Sequence, residues 1–126
     1  MRKLVLAAIG LCFSVGVNAA CDTKSLKGDY SVVFSGTNGS VMCGAIGIVN
    51  FDGKGTAKSS IEVACGGGTP QLSSESGVYL VNGACFGGIT FKDARVDFVF
   101  DKAFKVGSTL VTGIGSGIVV GTILKQ

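Results

Sequence analysis

The chain has 126 residues, enough for one domain and too few for two. Apolar residues make up 47% of it, with 21 Gly, 1 Pro, no His and no Trp, at a formal net charge of +3. The missing histidine excludes a Ser-His-Asp triad, a Cys-His dyad and any His-ligated metal, the apolar content excludes a disordered or collagen-like chain, and the scattered lysines exclude the basic stripe of a nucleic-acid binder.

Residues 1–20 carry the three parts of a secretory signal peptide: basic Arg2 and Lys3, an uncharged run from Leu4 to Val17, and small side chains at Val17 and Ala19. The uncharged run is about 14 residues, short of the about 20 that a membrane-spanning helix needs. Cleavage after Ala19 or Ala20 is expected, and loss of Arg2 and Lys3 lowers the net charge to +1. The mature part, 21–126, then forms one domain in the periplasm or outside the cell. An uncleaved anchor is one alternative. Another is a lipid anchor on Cys21, which two small residues precede; Asn18 stands where a bulky aliphatic residue is usual, and three cysteines would be left unmodified.

Tyr30, Val32 and Phe34 alternate with Asp29, Ser31 and Ser35, the period of a half-buried strand. Thr37-Asn38-Gly39-Ser40 reads as a turn, followed by strands over 41–51 and 55–65 around Asp52-Gly53-Lys54-Gly55. A three-residue loop Gly53–Gly55 sets Asp52 opposite Thr56, and the same register sets Cys43 opposite Cys65. Gly66 to Glu75, with the only Pro, reads as the longest loop. Val78 to Val81 form the next strand, Asn82-Gly83 is the strongest hairpin dipeptide, and 84–91 follow as a strand. Val96, Phe98 and Phe100 alternate with Arg95, Asp97 and Asp101. Residues 106–114 and 118–124 close the chain as a hairpin about Gly115-Ser116-Gly117.

This count predicts an all-β domain of about eight short antiparallel strands. An up-and-down barrel is preferred because nearly every connection reads as a hairpin; a β-sandwich is the alternative. Phe34, Phe51, Phe86, Phe91, Phe98, Phe100 and Phe104 are expected inside. Cys12 falls in the leader, so four cysteines remain, an even number that reads as two disulfides in an exported chain. They lack any C-x-x-C pair, so no metal site is expected. Directly opposed strand residues lie within disulfide reach, which selects Cys43–Cys65 and leaves Cys21–Cys85.

Leu26-Lys27-Gly28-Asp29-Tyr30, Phe51-Asp52-Gly53-Lys54-Gly55 and Gly77 through Cys85 resemble segments of small secreted bacterial barrels of lipocalin-like or allene-oxide-cyclase-like type. The resemblance spans about 60 residues, mainly turn residues; it implies a fold and carries no catalytic residue onto this chain.

Reactive constellations are sparse. Asp93, Arg95, Asp97 and Asp101 form the densest charge cluster and read as a solvated strand face, with Arg95, Asp97 and Asp101 on one side. Turn chemistry accounts for Asp52 with Gly53 and Gly55 and for the run Gly113–Gly117, which lacks the Lys-Ser/Thr of a phosphate loop. Nothing in the sequence brings Glu62 and Glu75 together as an acid–base pair. Tyr30 and Tyr79 are the candidates for orienting a ligand inside a barrel, although a core tyrosine with a satisfied hydroxyl is the commoner state. The sequence therefore points to a secreted, non-catalytic barrel without cofactor that binds a small apolar ligand or a surface partner. A cyclase- or isomerase-like enzyme is the catalytic alternative. A small outer-membrane barrel is disfavoured by short strands with charges on one face and Phe on the other.

Overall fold

The computed structural model describes residues 21–112 and 117–126; the expected leader and most of the last hairpin's turn lie outside them. Eight strands follow in order: β1 (Lys27–Asn38), β2 (Val41–Asp52), β3 (Thr56–Cys65), β4 (Gln71–Val81), β5 (Phe86–Thr90), β6 (Arg95–Phe100), β7 (Val106–Thr112) and β8 (Ile118–Lys125). Each pairs antiparallel with the next, and β8 closes on β1, from Tyr30↔Lys125 to Thr37↔Ile118. One closed up-and-down barrel, not a sandwich, is the architecture.

Turn chemistry sets the register. The Asp52 carboxylate accepts from the backbone N–H of Lys54 at 2.7 Å and of Thr56 at 3.0 Å, which holds its pKa below the usual carboxylate range, Thr56 being the larger cause. Gly53 and Gly55 adopt φ of +75° and +106°, where a Cβ is strained. Phe51 therefore faces Ala57, and Cys43 faces Cys65 as the loop arithmetic requires. Both expected disulfides are formed, Cys43–Cys65 and Cys21–Cys85.

Four expectations are corrected. The strands are not uniformly short: β1 to β4 run 10 to 12 residues, the length of membrane strands, so strand length does not argue against an outer-membrane barrel. Gln71–Glu75 is not loop: β4 starts at Gln71 and pairs with β3 from Val63↔Gln71 to Thr56↔Val78. A serine-rich run lacks hydrophobic alternation, but the ladder to β3 is made by backbone groups and does not need it. Phe86 is not inside. Asn82–Cys85 form a four-residue loop, with the Asn82 side chain accepting from the N–H of Ala84 and Phe86. That loop sets Gly87, not Phe86, on the inward side opposite Val81. Phe86 is 56% exposed. A Cβ on Gly87 would lie 2.7 Å from the Phe98 ring, so glycine is what leaves room for Phe98. Asp101 does not share a face with Arg95 and Asp97; it lies in the β6–β7 turn, where its carboxylate accepts from the N–H of Lys105 at 2.8 Å.

Connections β2–β3, β4–β5 and β6–β7 lie at one end of the barrel, and β1–β2, β3–β4 and β5–β6 at the opposite end. The first end is closed. Tyr30, Phe51, Tyr79, Phe98, Phe100 and Phe104 are buried there in a run of mostly edge-on ring contacts, with Phe51 touching Tyr30 at 5.3 Å and Tyr79 at 4.9 Å between centroids. Residues 21–26 strap across this end. Asp22 caps the one 3-10 turn among the described residues, Thr23–Ser25, and its bonds to Ser25, side chain first, hold its pKa low. Leu26 is fully buried, and Cys21–Cys85 ties the strap to the β4–β5 loop.

Candidate functional site: an apolar cavity at the open end

The barrel is lopsided at its other end. β5 pairs with β4 only from Val78↔Thr90 to Val81↔Gly87. Gln71–Ser76 thus have β3 on one side and, among the described residues, no strand on the other. Phe91 and Ala94, bonded N–H to carbonyl at 2.8 Å, turn the chain back below this free edge. The wall made by β1–β4 rises above the wall made by β5–β7.

Inside the tall wall lies a cavity of about 250 Å³. Phe34, Ala45, Ile61, Val63, Phe91, Val96, Val111 and Val119 make its apolar surface, and the Cys43–Cys65 disulfide borders it. Its polar side chains are Asn38, Ser59, Ser73 and Glu75. Ser59 is buried and its hydroxyl donates to the Glu75 carbonyl at 3.3 Å, so it is spent on the strand ladder. Glu75 is the one charged lining residue. It stands at the free edge, where inward charge also discourages strand addition.

The two predicted ligand-orienting tyrosines are elsewhere. Tyr30 and Tyr79 are fully buried at the closed end, and neither lines the cavity. The Tyr30 hydroxyl donates to the Phe104 carbonyl at 2.6 Å. Burial, with Asp101 nearby, pushes its pKa up to about 12. The Tyr79 hydroxyl donates to the Leu26 carbonyl at 2.7 Å and accepts from the Gly53 N–H at 2.8 Å; burial raises its pKa as well. Both hydroxyls hold the strap and turns in place.

The remaining candidates stay apart. Glu62 lies opposite Leu72 on the outer side of the β3–β4 ladder, and Glu75 opposite Ser59 on the inner side, so they are on different faces of the sheet. Arg95 and Asp97 form an exposed ion pair at 2.7 Å on the outer wall. Among the described residues no group of three or more His, Cys, Asp or Glu side chains is placed to hold a metal ion, and no helix is long and apolar enough to cross a membrane. The cavity itself had one legible precursor, the inward alternation of Tyr30, Val32 and Phe34, whose last member lines it. Its opening had none, because it depends on β5 being shorter than β4. Comparison with family models, with curated proteins and with solved structures returns no match.

Proposed function

We propose that the protein is an exported, non-catalytic barrel that holds a small apolar ligand in the cavity at its open end. The carrying observation is a cavity of about 250 Å³ walled by Phe, Val and Ile side chains and reached past the free edge of β4. That volume and lining suit a compact hydrocarbon-rich molecule, with Asn38, Ser73 and Glu75 available at the rim for a single polar group. Two disulfides fit an oxidising location; export to the periplasm or beyond follows from the leader-like residues 1–20. Catalysis is the weaker reading, since the buried tyrosines are bound to backbone groups and the cavity offers one carboxylate without a second titratable partner.

Titration with N-phenyl-1-naphthylamine, a neutral apolar fluorophore, tests this reading. The wild-type protein is expected to enhance its emission saturably, and Ala45→Phe, which fills the cavity from β2, to weaken binding at least about tenfold, the equivalent of a binding loss of about 1.4 kcal/mol. Equal binding by both, or none by the wild type, would sink the proposal. Native mass spectrometry of protein recovered from its own source would identify the ligand.

A further inference from the structure

The outer wall is divided. On β3 to β6 the outward positions carry Lys58, Glu62, Arg95 and Asp97 beside exposed Leu72, Val78, Leu80 and Phe86. On β7, β8, β1 and β2 the outward positions between the two rims carry one charge, Asp29, which accepts from Asn50 in the row that continues to Lys58. Nine of these outward positions hold large apolar residues between 42% and 68% exposed, with Ile118 the most exposed and Leu110 the least. The seven on β8, β1 and β2, at about half exposure each, present on the order of 700 Å², above the largest patch of an ordinary monomer and somewhat below one partner's share of a standard interface.

The relief of this face is more telling than its area. Registered rows run Ile118–Thr37–Met42, Val120–Ser35–Gly44, Thr122–Val33–Ile46 and Leu124–Ser31–Ile48 across β8, β1 and β2. Three of the four β1 positions are Ser or Thr, so β1 is a shallow furrow. β2 is a ridge of Met42, Ile46 and Ile48 beside it, and β8 a second ridge.

From this relief we infer that the outer face of β8, β1 and β2 is an interface with a second copy of the chain, the β2 ridge of each copy lying in the β1 furrow of the other. A two-fold contact needs one surface to fit itself: ridge meets furrow, and furrow meets ridge. Such a contact also brings like residues together near the axis. A face whose single charge, Asp29, sits at its edge and is bonded to Asn50 meets that condition, and the sector bearing Glu62, Arg95 and Asp97 at mid-wall does not. The hydroxyls of Ser31, Ser35 and Thr37 need no fixed partner, since they rotate to neighbouring carbonyls or across the contact.

Sedimentation velocity of the disulfide-intact protein from low to high micromolar concentration reads this directly. The wild type is expected to run at twice the chain mass. Ile46→Lys, on the exposed ridge, is expected to halve that mass, and Ser35→Arg, which fills the furrow, to do the same. Val78→Lys, at an exposed apolar position on the outer face of β4, should leave the dimer whole. Circular dichroism and non-reducing electrophoresis confirm that each variant keeps its barrel and disulfides. A wild type that stays monomeric at high concentration would overturn the inference. So would a dimer lost with Val78→Lys and kept with Ile46→Lys. A monomer that floats with phosphatidylcholine vesicles would assign the face to lipid instead, again against the inference. Fluorophore binding is measured separately, so failure here leaves the cavity reading standing.

Discussion

The two ends of this barrel are built from similar strands to opposite purposes. At the closed end, six aromatic rings fill the interior, a disulfide-tied strap lies across the loops, and both tyrosine hydroxyls are spent on backbone partners. Lys24, Lys27, Lys54, Lys102, Lys105 and Lys125 gather there with Asp22, Asp29, Asp52 and Asp101. At the open end only two rings, Phe34 and Phe91, remain among inward Ala, Val and Ile side chains, one wall stops short, and the described charges reduce to Glu75, Lys92 and Asp93. The difference teaches that closure is set by side-chain volume per layer. Large rings meet and exclude space; small aliphatics around the same circumference do not. One end fills its interior, and the other keeps a cavity.

That contrast is exposed to direct attack. Phe98→Ala, at the closed end, is expected to cost about 3–5 kcal/mol, the range for emptying a buried aromatic site. Phe91→Ala, on the partly buried cavity wall, should cost roughly 1 kcal/mol, the centre of the range for point substitutions. Urea unfolding of both gives the ratio, and equal losses would mean that the interior is packed uniformly. The disulfides sharpen the comparison. Cys21–Cys85 spans 64 positions and Cys43–Cys65 spans 22. On chain entropy alone, replacing both cysteines by Ala is expected to cost about 4 kcal/mol for the first and about 3 for the second. Denaturant midpoints in the reverse order would show that the strap holds less than its loop length implies.

The tyrosines supply a pH signature confined to the closed end. Tyr30 has its pKa raised to about 12 and Tyr79 is raised in the same direction, mainly by burial. The folded chain therefore keeps these protons longer than the unfolded one. The stability linked to them is complete below about pH 10, the unfolded value, and is lost as pH rises through the folded value. Tyrosinate absorbance should stay low through pH 10 and rise together with loss of structure; a free titration near 10 without unfolding would contradict the burial. The smallest effect is expected outside both ends. Asp97→Ala breaks only the exposed pair with Arg95 and should cost about 0.5 kcal/mol or less. A loss near that of Phe98→Ala, one residue away, would mean that something covers this part of the outer wall.

Much of the fold was legible because local chemistry carried it. Asp52, Gly53 and Gly55 admit essentially one turn geometry, and a turn fixes the register of its strands, so Cys43 opposite Cys65 followed from residue positions alone, and Cys21–Cys85 by remainder. The alternation through Val96, Phe98 and Phe100 by itself tells inside from outside. What only the tertiary structure decided is what depends on a neighbour's length or on a loop's residue count. Gln71–Ser76 is strand because the backbone of β3 extends far enough to pair with it, and it is a free edge because β5 does not. Phe86 faces out because the Asn82–Cys85 loop has four residues and not two. Tyr30 and Tyr79 serve the scaffold and not the cavity because the β6–β7 turn and the strap place the carbonyls of Phe104 and Leu26 over the closed end. Side-chain alternation and turn preference are local properties, written into adjacent residues. A cavity is the space left when eight strands of unequal length close on one another, and no single strand encodes that.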